Sequence, residues 1–396
     1  MRKELKNNVY WVGKVDWELE QFHGNEYSTH SGSTYNSYLV QEEKTVLIDT
    51  VWAPFAKEFV DNLASEIDLS KIDYIIANHG EVDHSGALPE LMRRIPDTPI
   101  YCTANAVTSL KGQYHQDWDF HVVKTGDSID IGNGKQLVFV EMKMLHWPDS
   151  MATYMTGDNI LFSNDAFGQH LATERLYNDL VDQCTLFEEA IKYYANILTP
   201  FNMFLKRKLD EIISMNLPID IIATSHGVIW RDNPMQIVEK YAAWCDDYQE
   251  DQVTVAYDTM WNGTKQMAEK IALGIQEASP GTMVKVFNIA KTDVNDLITE
   301  VFRSKALVVG SPTIGRNILH APAGFLHMAK EMGFKKKKAA AFGCYGWSGE
   351  SVKVLNTMLE DSGFEIVDEG IRVQYNPDEK QLADAKAFGE KLAKLF

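Results

Sequence analysis

From about residue 251 the sequence alternates with a regularity that leaves few folds open. "QVTVAYDT" reads as a strand, "GTKQMAEKIALGIQEA" as a helix, "MVKVFNIA" as a strand and "VNDLITEVFRS" as a helix. "ALVVGSPT", "AGFLHMAKEM", "KKAAAFGCYG", "SVKVLNTMLEDSG" and "FEIVDEGIRV" continue the pattern, and "EKQLADAKAFGEKLAKLF" closes it. Five strands separated by helices predict an open, parallel, doubly wound α/β sheet.

The preceding residues are patterned differently. "NSYLVQEEKTVLIDT" gives two strands around a polar turn, with a helix expected after Pro54. "QLVFVEMKML", "ATYMTGDNILFS" and "IDIIATSH" are further strands, and "ERLYNDLVDQCTLFEEAIKYYANIL" holds helical periodicity. A chain of 396 residues is long for one core, so two domains are expected, 1–250 and 251–396, meeting at the short polar stretch "WCDDYQEDQ".

Charge and cysteine usage narrow the function classes. Thirty-eight basic residues against 56 acidic ones leave a net charge of −18, which argues against nucleic acid or an anionic membrane as partner. The apolar runs are far shorter than the roughly 20 residues that cross a bilayer, and "MRKELKNNVYWVGKVDW" has no secretory h-region. Cys102, Cys184, Cys245 and Cys344 include no CxxC pair, so neither a disulfide framework nor a rubredoxin or iron–sulfur site is expected. A reduced, cytoplasmic protein is the expectation.

The chemistry concentrates in "NHGEVDHSG", Asn78 to Gly86, between the strand "IDYIIAN" and a helix expected over "SGALPELMRR". His79, Glu81, Asp83 and His84 are four potential metal ligands of two chemical kinds at a strand–helix junction, where α/β folds build their sites. His146 is expected to end the strand "QLVFVEMKMLH", Asp165 follows "NILFSND" and His226 ends "IDIIATSH". Strand ends in a layered sheet can converge on one edge, which would bring all seven together.

These residues resemble a family. The H-x-[EH]-x-D-H loop followed by separated His, Asp and His looks like the metallo-β-lactamase fold, an αββα sandwich. Most members of that fold carry histidine where this sequence has Glu81. With a doubly wound domain behind it, that substitution resembles the two-domain (A-type) flavodiiron proteins over essentially the whole chain. The residues support this independently, because a carboxylate at position 81 makes the pocket harder and more anionic, as redox-cycling iron prefers. By resemblance His79, Glu81 and His146 would hold one iron, Asp83, His84 and His226 the other, and Asp165 would bridge them. His23, Tyr193 and, less directly, His170 would line the distal pocket, hydrogen-bond a diatomic and donate protons.

In the second domain, "YDTMWNGTKQMA" places Thr259, Met260, Trp261, Asn262, Gly263 and Thr264 at a helix N-terminus, a phosphate site by geometry and dipole. It has neither P-loop lysine nor GxGxxG, so ATP and NAD fit poorly. The loops "GSPTIGRN" and "GCYGWSGE" follow the third and fourth strands, beside the switch point of a flavodoxin-like sheet. All three loops resemble those of flavodoxin, which implies FMN. Ser311, Pro312, Thr313, Ile314 and Asn317 would contact phosphate or ring edge. Gly343, Tyr345, Gly346, Trp347, Ser348 and Gly349 would wrap the isoalloxazine. Cys344, with nothing near it in sequence to activate it, is expected to pack.

The expected function is a reductase passing electrons from FMN to a diiron centre that reduces nitric oxide to nitrous oxide, dioxygen to water, or both. The electron donor would be separate: a rubredoxin, another redox protein or a reduced deazaflavin. The family implies a head-to-tail homodimer or a dimer of dimers. The alternatives are a zinc hydrolase of the lactamase fold with a fused flavodoxin, and an electron carrier with a vestigial first domain.

Overall fold

Strand residues sort to two faces by the period of two, and this alternation builds the first sandwich. In Tyr38–Gln41 and Thr45–Ile48, Leu39 and Leu47 join one core while Tyr38, Val40, Val46 and Ile48 join another. The structure is a computed structural model and describes residues 2–396. Its contacts divide the chain into two compact units: residues through Tyr193 together with Phe201–Cys245, and Tyr194–Pro200 together with Asp246–Phe396.

In the first unit a seven-stranded sheet runs in the order Lys3–Lys6, Val9–Trp11, Tyr38–Gln41, Thr45–Ile48, Ile72–Ile76, Ile100–Cys102, Phe120–Val122. A five-stranded sheet runs Ser128–Gly132, Lys135–Glu141, Met151–Met155, Ile160–Asn164, Ile221–Thr224. Val40, Ile48 and Ile76 from the first meet Phe139, Met151, Phe162 and Ala223 from the second in a dry layer. Phe139 and Phe162 are almost fully buried, each worth about 1.5–3 kcal/mol of transfer free energy. The other face of the seven-stranded sheet packs on helices through Phe59, Val60, Leu91 and Leu110. This is the αββα arrangement.

The second unit is a parallel sheet in the order Met283–Asn288, Glu250–Tyr257, Ser304–Gly310, Lys338–Tyr345, with the fifth place shared by Glu365–Ile366 and Ile371–Gln374. Numbered along the chain, the order is 2-1-3-4-5, that of flavodoxin. Side-chain caps begin its helices where the sequence changes period. Asp293 accepts from the amides of Asn295 and Asp296, and Asp378 forms a capping box with Gln381. Gly343 is required where two loops approach, because a Cβ there would lie 2.2 Å from the carbonyl oxygen of Ser311.

Candidate metal centre and flavin cleft

His79 lies three residues beyond the strand Ile72–Ile76. Glu81 precedes the single turn Val82–Ser85, which carries Asp83 and His84. Asp165 directly follows Ile160–Asn164, and His226 lies two residues past Ile221–Thr224. His146 departs from expectation, since its strand stops at Glu141. The amide of Met142 donates to Ser150 O at 2.7 Å and that of Met144 to Trp147 O at 2.8 Å. This closed loop, rather than a strand end, presents His146.

All seven side chains come together and are buried or nearly so. They form two groups, His79, Glu81, His146 and Asp165 in one and Asp83, His84 and His226 in the other. Asp165 faces both. Its Oδ2 lies 3.6 Å from His79 Nε2 and 3.4 Å from His146 Nε2, while its Oδ1 lies 3.0 Å from His84 Nε2 and 3.7 Å from His226 Nε2. Asp83 Oδ2 lies 3.0 Å from His226 Nε2 and 3.1 Å from His84 Nε2. Yet neither oxygen of Asp83, nor Asp165 Oδ2, takes a hydrogen bond. Within each group the donor atoms lie within 4.8 Å of one another. Buried carboxylate oxygens without donors call for cations, and this donor set fits two.

In the second unit the loops after three adjacent strands line a cleft of about 1040 Å³. Thr259, Met260, Trp261, Gly263 and Thr264 lie on one side, Pro312, Thr313 and Ile314 in the middle, and Tyr345, Gly346, Trp347 and Ser348 beyond. The Thr264 hydroxyl is buried at the start of the helix Gly263–Ala278, where its polar neighbour is the Cys344 thiol and no nitrogen or oxygen pairs with it. Asn262, the residue before that helix, gives it no side-chain cap. An orphaned hydroxyl and uncapped amides fit a phosphate.

Ser311, Asn317, Gly343 and Gly349, also expected at the flavin, do not line the cleft. Ser311 Oγ accepts from the amide of Leu319 at 3.1 Å, and Asn317 Oδ1 from that of Ile318 at 2.9 Å. Gly343 and Gly349 give close approach to Ser311 and Tyr345. Cys344 lines the cleft, its sulfur 3.4 Å from that of Met267, and burial raises its thiol pKa.

Two family models match the chain, an ODP family beta lactamase over residues 34–227 and a flavodoxin over 255–389. An anaerobic nitric oxide reductase flavorubredoxin of Citrobacter koseri is 57% identical over 393 residues, covering 99% of this chain and 81% of that relative. The solved rubredoxin oxygen:oxidoreductase of Desulfovibrio gigas matches with a TM-score of 0.96 at 33% identity, over 100% of this chain and 98% of that one. The flavodiiron protein of Giardia intestinalis matches with a TM-score of 0.94 at 32% identity, over 100% and 96%. The chain belongs to the flavodiiron protein family.

In this flavodiiron protein a further set of residues, which sequence reading missed, fixes the ligand rings. His79 Nδ1 donates to Asp149 Oδ1 at 3.1 Å, and the amide of Gly80 donates to Asp149 Oδ2 at 2.9 Å. Gly80 leaves the room, since a Cβ there would lie 2.7 Å from that oxygen. His226 Nδ1 donates to the carbonyl of Thr34 at 2.7 Å. Both histidines thereby turn Nε2 inward, where it would be the lone-pair nitrogen toward a metal, with the usual second tier behind it. Asp149, three residues after His146, could have been found as an acid held in a Pro-Asp-Ser turn.

Electrostatics agree. Burial lowers the affinity of His146 for a proton, but the nearby carboxylates of Asp165 and Glu81 outweigh it and lift its pKa to about 9. His84 is likewise lowered by burial and lifted by Asp83 and Asp165, again to about 9. Burial would raise Glu81, but bonds from His146, His23 and His79 carry it far below the carboxylate range.

The three residues expected around this site all border it. His23 Nε2 lies 3.1 Å from Glu81 Oε1. Tyr193 is buried, with its ring 5.2 Å from that of His170 and 6.4 Å from that of His226. Burial followed by the charge of Asp165 holds its phenol protonated. His170 Nδ1 pairs with Ser33 Oγ at 2.7 Å, while its Nε2 has no partner.

Proposed function

We propose that this flavodiiron protein takes electrons from an external donor at FMN and uses them at a diiron centre to reduce nitric oxide to nitrous oxide, dioxygen to water, or both. The observation that carries the reading is Asp165, one carboxylate whose two oxygens each face a separate pair of histidines. Bound at these sites, FMN supplies electrons and the two irons supply a redox-active place for a small oxidising diatomic. His79, Glu81 and His146 would hold one iron, Asp83, His84 and His226 would hold the other, and Asp165 would serve both. Three carboxylates would offset most of the charge of two divalent ions, leaving about one positive charge. Tyr193 keeps its phenol proton beside this pocket, and His23 and His170 would line it with Tyr193 and hydrogen-bond the diatomic.

The hydrolase alternative finds no support, because the matched relatives carry the names of reductases and oxidoreductases. Among the described residues no helix is long and apolar enough to cross a membrane. The four cysteines are unpaired, which supports the cytoplasm as its compartment. Rubredoxin gives its name to one structural relative and heads the donors to try, before other redox proteins and reduced deazaflavin. A head-to-tail homodimer, alone or paired, is the proposed active unit. Trp261, Trp347 and Tyr375 are 87, 91 and 65% exposed around the flavin cleft, an apolar rim that suits a protein partner.

The deciding experiment purifies the protein from iron-replete cells, measures metal content, and follows turnover with each gas under a chemical reductant. About two irons per chain and consumption of either gas are expected. Stoichiometric zinc with no gas consumption would overturn the reading.

A further inference from the structure

The chain as a whole carries a net charge of −18, yet among the described residues no acidic side chain lines the flavin cleft, and one basic side chain does: Arg316. Its placement is built. The amide of Ile314 donates to Asn317 O at 3.0 Å and that of Asn317 to Ile314 O at 2.8 Å, closing a two-residue turn over Gly315 and Arg316. Both central residues have positive φ, 54° and 61°, as in a type I′ turn. A glycine is at ease there; an arginine is not. The turn is anchored beneath, where the amide of Thr313 donates to Cys344 O at 2.9 Å and Thr313 Oγ1 accepts from the amide of Ser351 at 3.1 Å. Asn317 is occupied with the amide of Ile318. Among the described residues no hydrogen bond or ion pair engages the Arg316 guanidinium.

Burial separates the two ends of the cleft. The phosphate end is its floor, where Thr264 is 1% exposed at a helix N-terminus and needs no cation. Arg316 stands at the exposed rim with Ile314, Trp347 and Tyr375, the side that offers aromatic surface to a ring. Two electrons and one proton convert neutral FMN ring to a reduced ring bearing one negative charge over N1 and the C2 carbonyl. A planar guanidinium donates to such a pair of acceptors. We propose that Arg316 sets the reduction potential of the bound flavin by stabilising the negative charge of the reduced ring. This rests on FMN occupying the cleft.

The test uses the full-length holoprotein and Arg316→Asn, because asparagine tolerates positive φ. Dissociation constants for oxidised FMN and for riboflavin are measured together with the two-electron midpoint potential. The variant should bind oxidised FMN within about twofold of the parent and bind reduced FMN about tenfold more weakly relative to it, a midpoint lower by about 30 mV. Arg316→Lys should recover most of the difference. An unchanged midpoint would overturn the proposal. So would an FMN affinity that drops while riboflavin affinity and midpoint hold, since the guanidinium would then serve the phosphate. If the asparagine variant does not fold, Arg316→Gly gives the same readout on a backbone glycine prefers. A parent that binds no FMN would instead defeat the cofactor reading, before Arg316 is tested.

Discussion

The metal centre and the flavin cleft recognise their charges by opposite means. The first is closed and made of side chains, in which His79, Asp83, Asp165 and His226 are at most 2% exposed and two of the histidines have their rings fixed by Asp149 and Thr34. The second is open and made largely of loop backbone, with its large aromatics in solvent. A metal ion needs particular donor atoms at one point, so losing any one leaves a buried charge uncompensated. A phosphate at a helix N-terminus is met by several amides that no side-chain substitution removes. The first site should therefore be brittle to single changes and the second tolerant.

The largest effect is expected at the carboxylate that serves both irons. Asp165→Asn removes the anion facing all four histidines and should lower gas reduction by more than about 100-fold, beyond the cost of losing an outer partner. FMN content should stay at the parent's level, because Asp165 and the cleft belong to different compact units. Iron and flavin analysis of one preparation reads both. Parallel loss of FMN would show that the two sites are not independent.

Acidity should separate the sites next. His84 and His146 without metal titrate near 9, raised above the ordinary histidine value by neighbouring carboxylates. That raised value means the proton stabilises the metal-free fold below the unfolded pKa of about 6.5, and the contribution is lost as pH rises through 9. Metal must displace those protons, so ferrous affinity should rise with pH up to about 9, by as much as about tenfold per unit for each histidine. FMN affinity should change by less than about twofold between pH 7 and 8, its phosphate being already ionised with a second pKa near 6. Competitive chelator titrations at the two pH values measure the first, and flavin fluorescence the second.

Asp149 touches neither metal nor substrate, which makes it the sharper probe of brittleness. Asp149→Ala frees the His79 ring and leaves the Gly80 amide without its acceptor. Iron affinity should fall about 10–100-fold, with Asp149→Asn intermediate because its oxygen still accepts. A variant with parental iron affinity would mean that packing alone holds His79.

The same contrast decides what could be read from the sequence. A metal site declares itself by residue type, so four ligands within six positions stood out before any fold was known. Where His146 sits did not, because "VEMKMLH" carries no signal that pairing ends at Glu141 and a closed loop follows. Asp149 was hidden among ordinary turn residues, since its role depends on reaching His79 across 70 positions of chain. The alternation after residue 251 revealed the parallel sheet, but the last strand position is split in two. The helical periodicity of "ERLYNDLVDQCTLFEEAIKYYANIL" gives way to a π turn at Tyr194–Leu198. The segment Tyr194–Pro200 packs with the second unit through the bond of Asn196 Nδ2 to the carbonyl of Asn295. Tertiary contacts override the local period there. Around the flavin, Arg316 lies within the loop "GSPTIGRN" but matches none of its expected contacts, and Tyr375 and Asn376 line the cleft from outside all three loops.

The smallest effect is expected at Thr264, and it tests tolerance directly. Its hydroxyl is 1% exposed without a hydrogen-bond partner, at the first turn of a 16-residue helix. A buried donor left unpaired costs about 1–3 kcal/mol, and a phosphate oxygen would relieve that. Thr264→Val keeps the shape and removes the hydroxyl. The free protein should therefore gain slightly in stability, while FMN affinity falls only about tenfold because the helix amides remain, a loss of about 1.4 kcal/mol. Riboflavin, which has no phosphate, should bind both proteins alike. Equal losses for FMN and riboflavin would show that Thr264 packs the cleft rather than binding phosphate. A loss of FMN as severe as the loss of iron in Asp165→Asn would break the comparison, because one side chain would then carry a site assigned to the backbone.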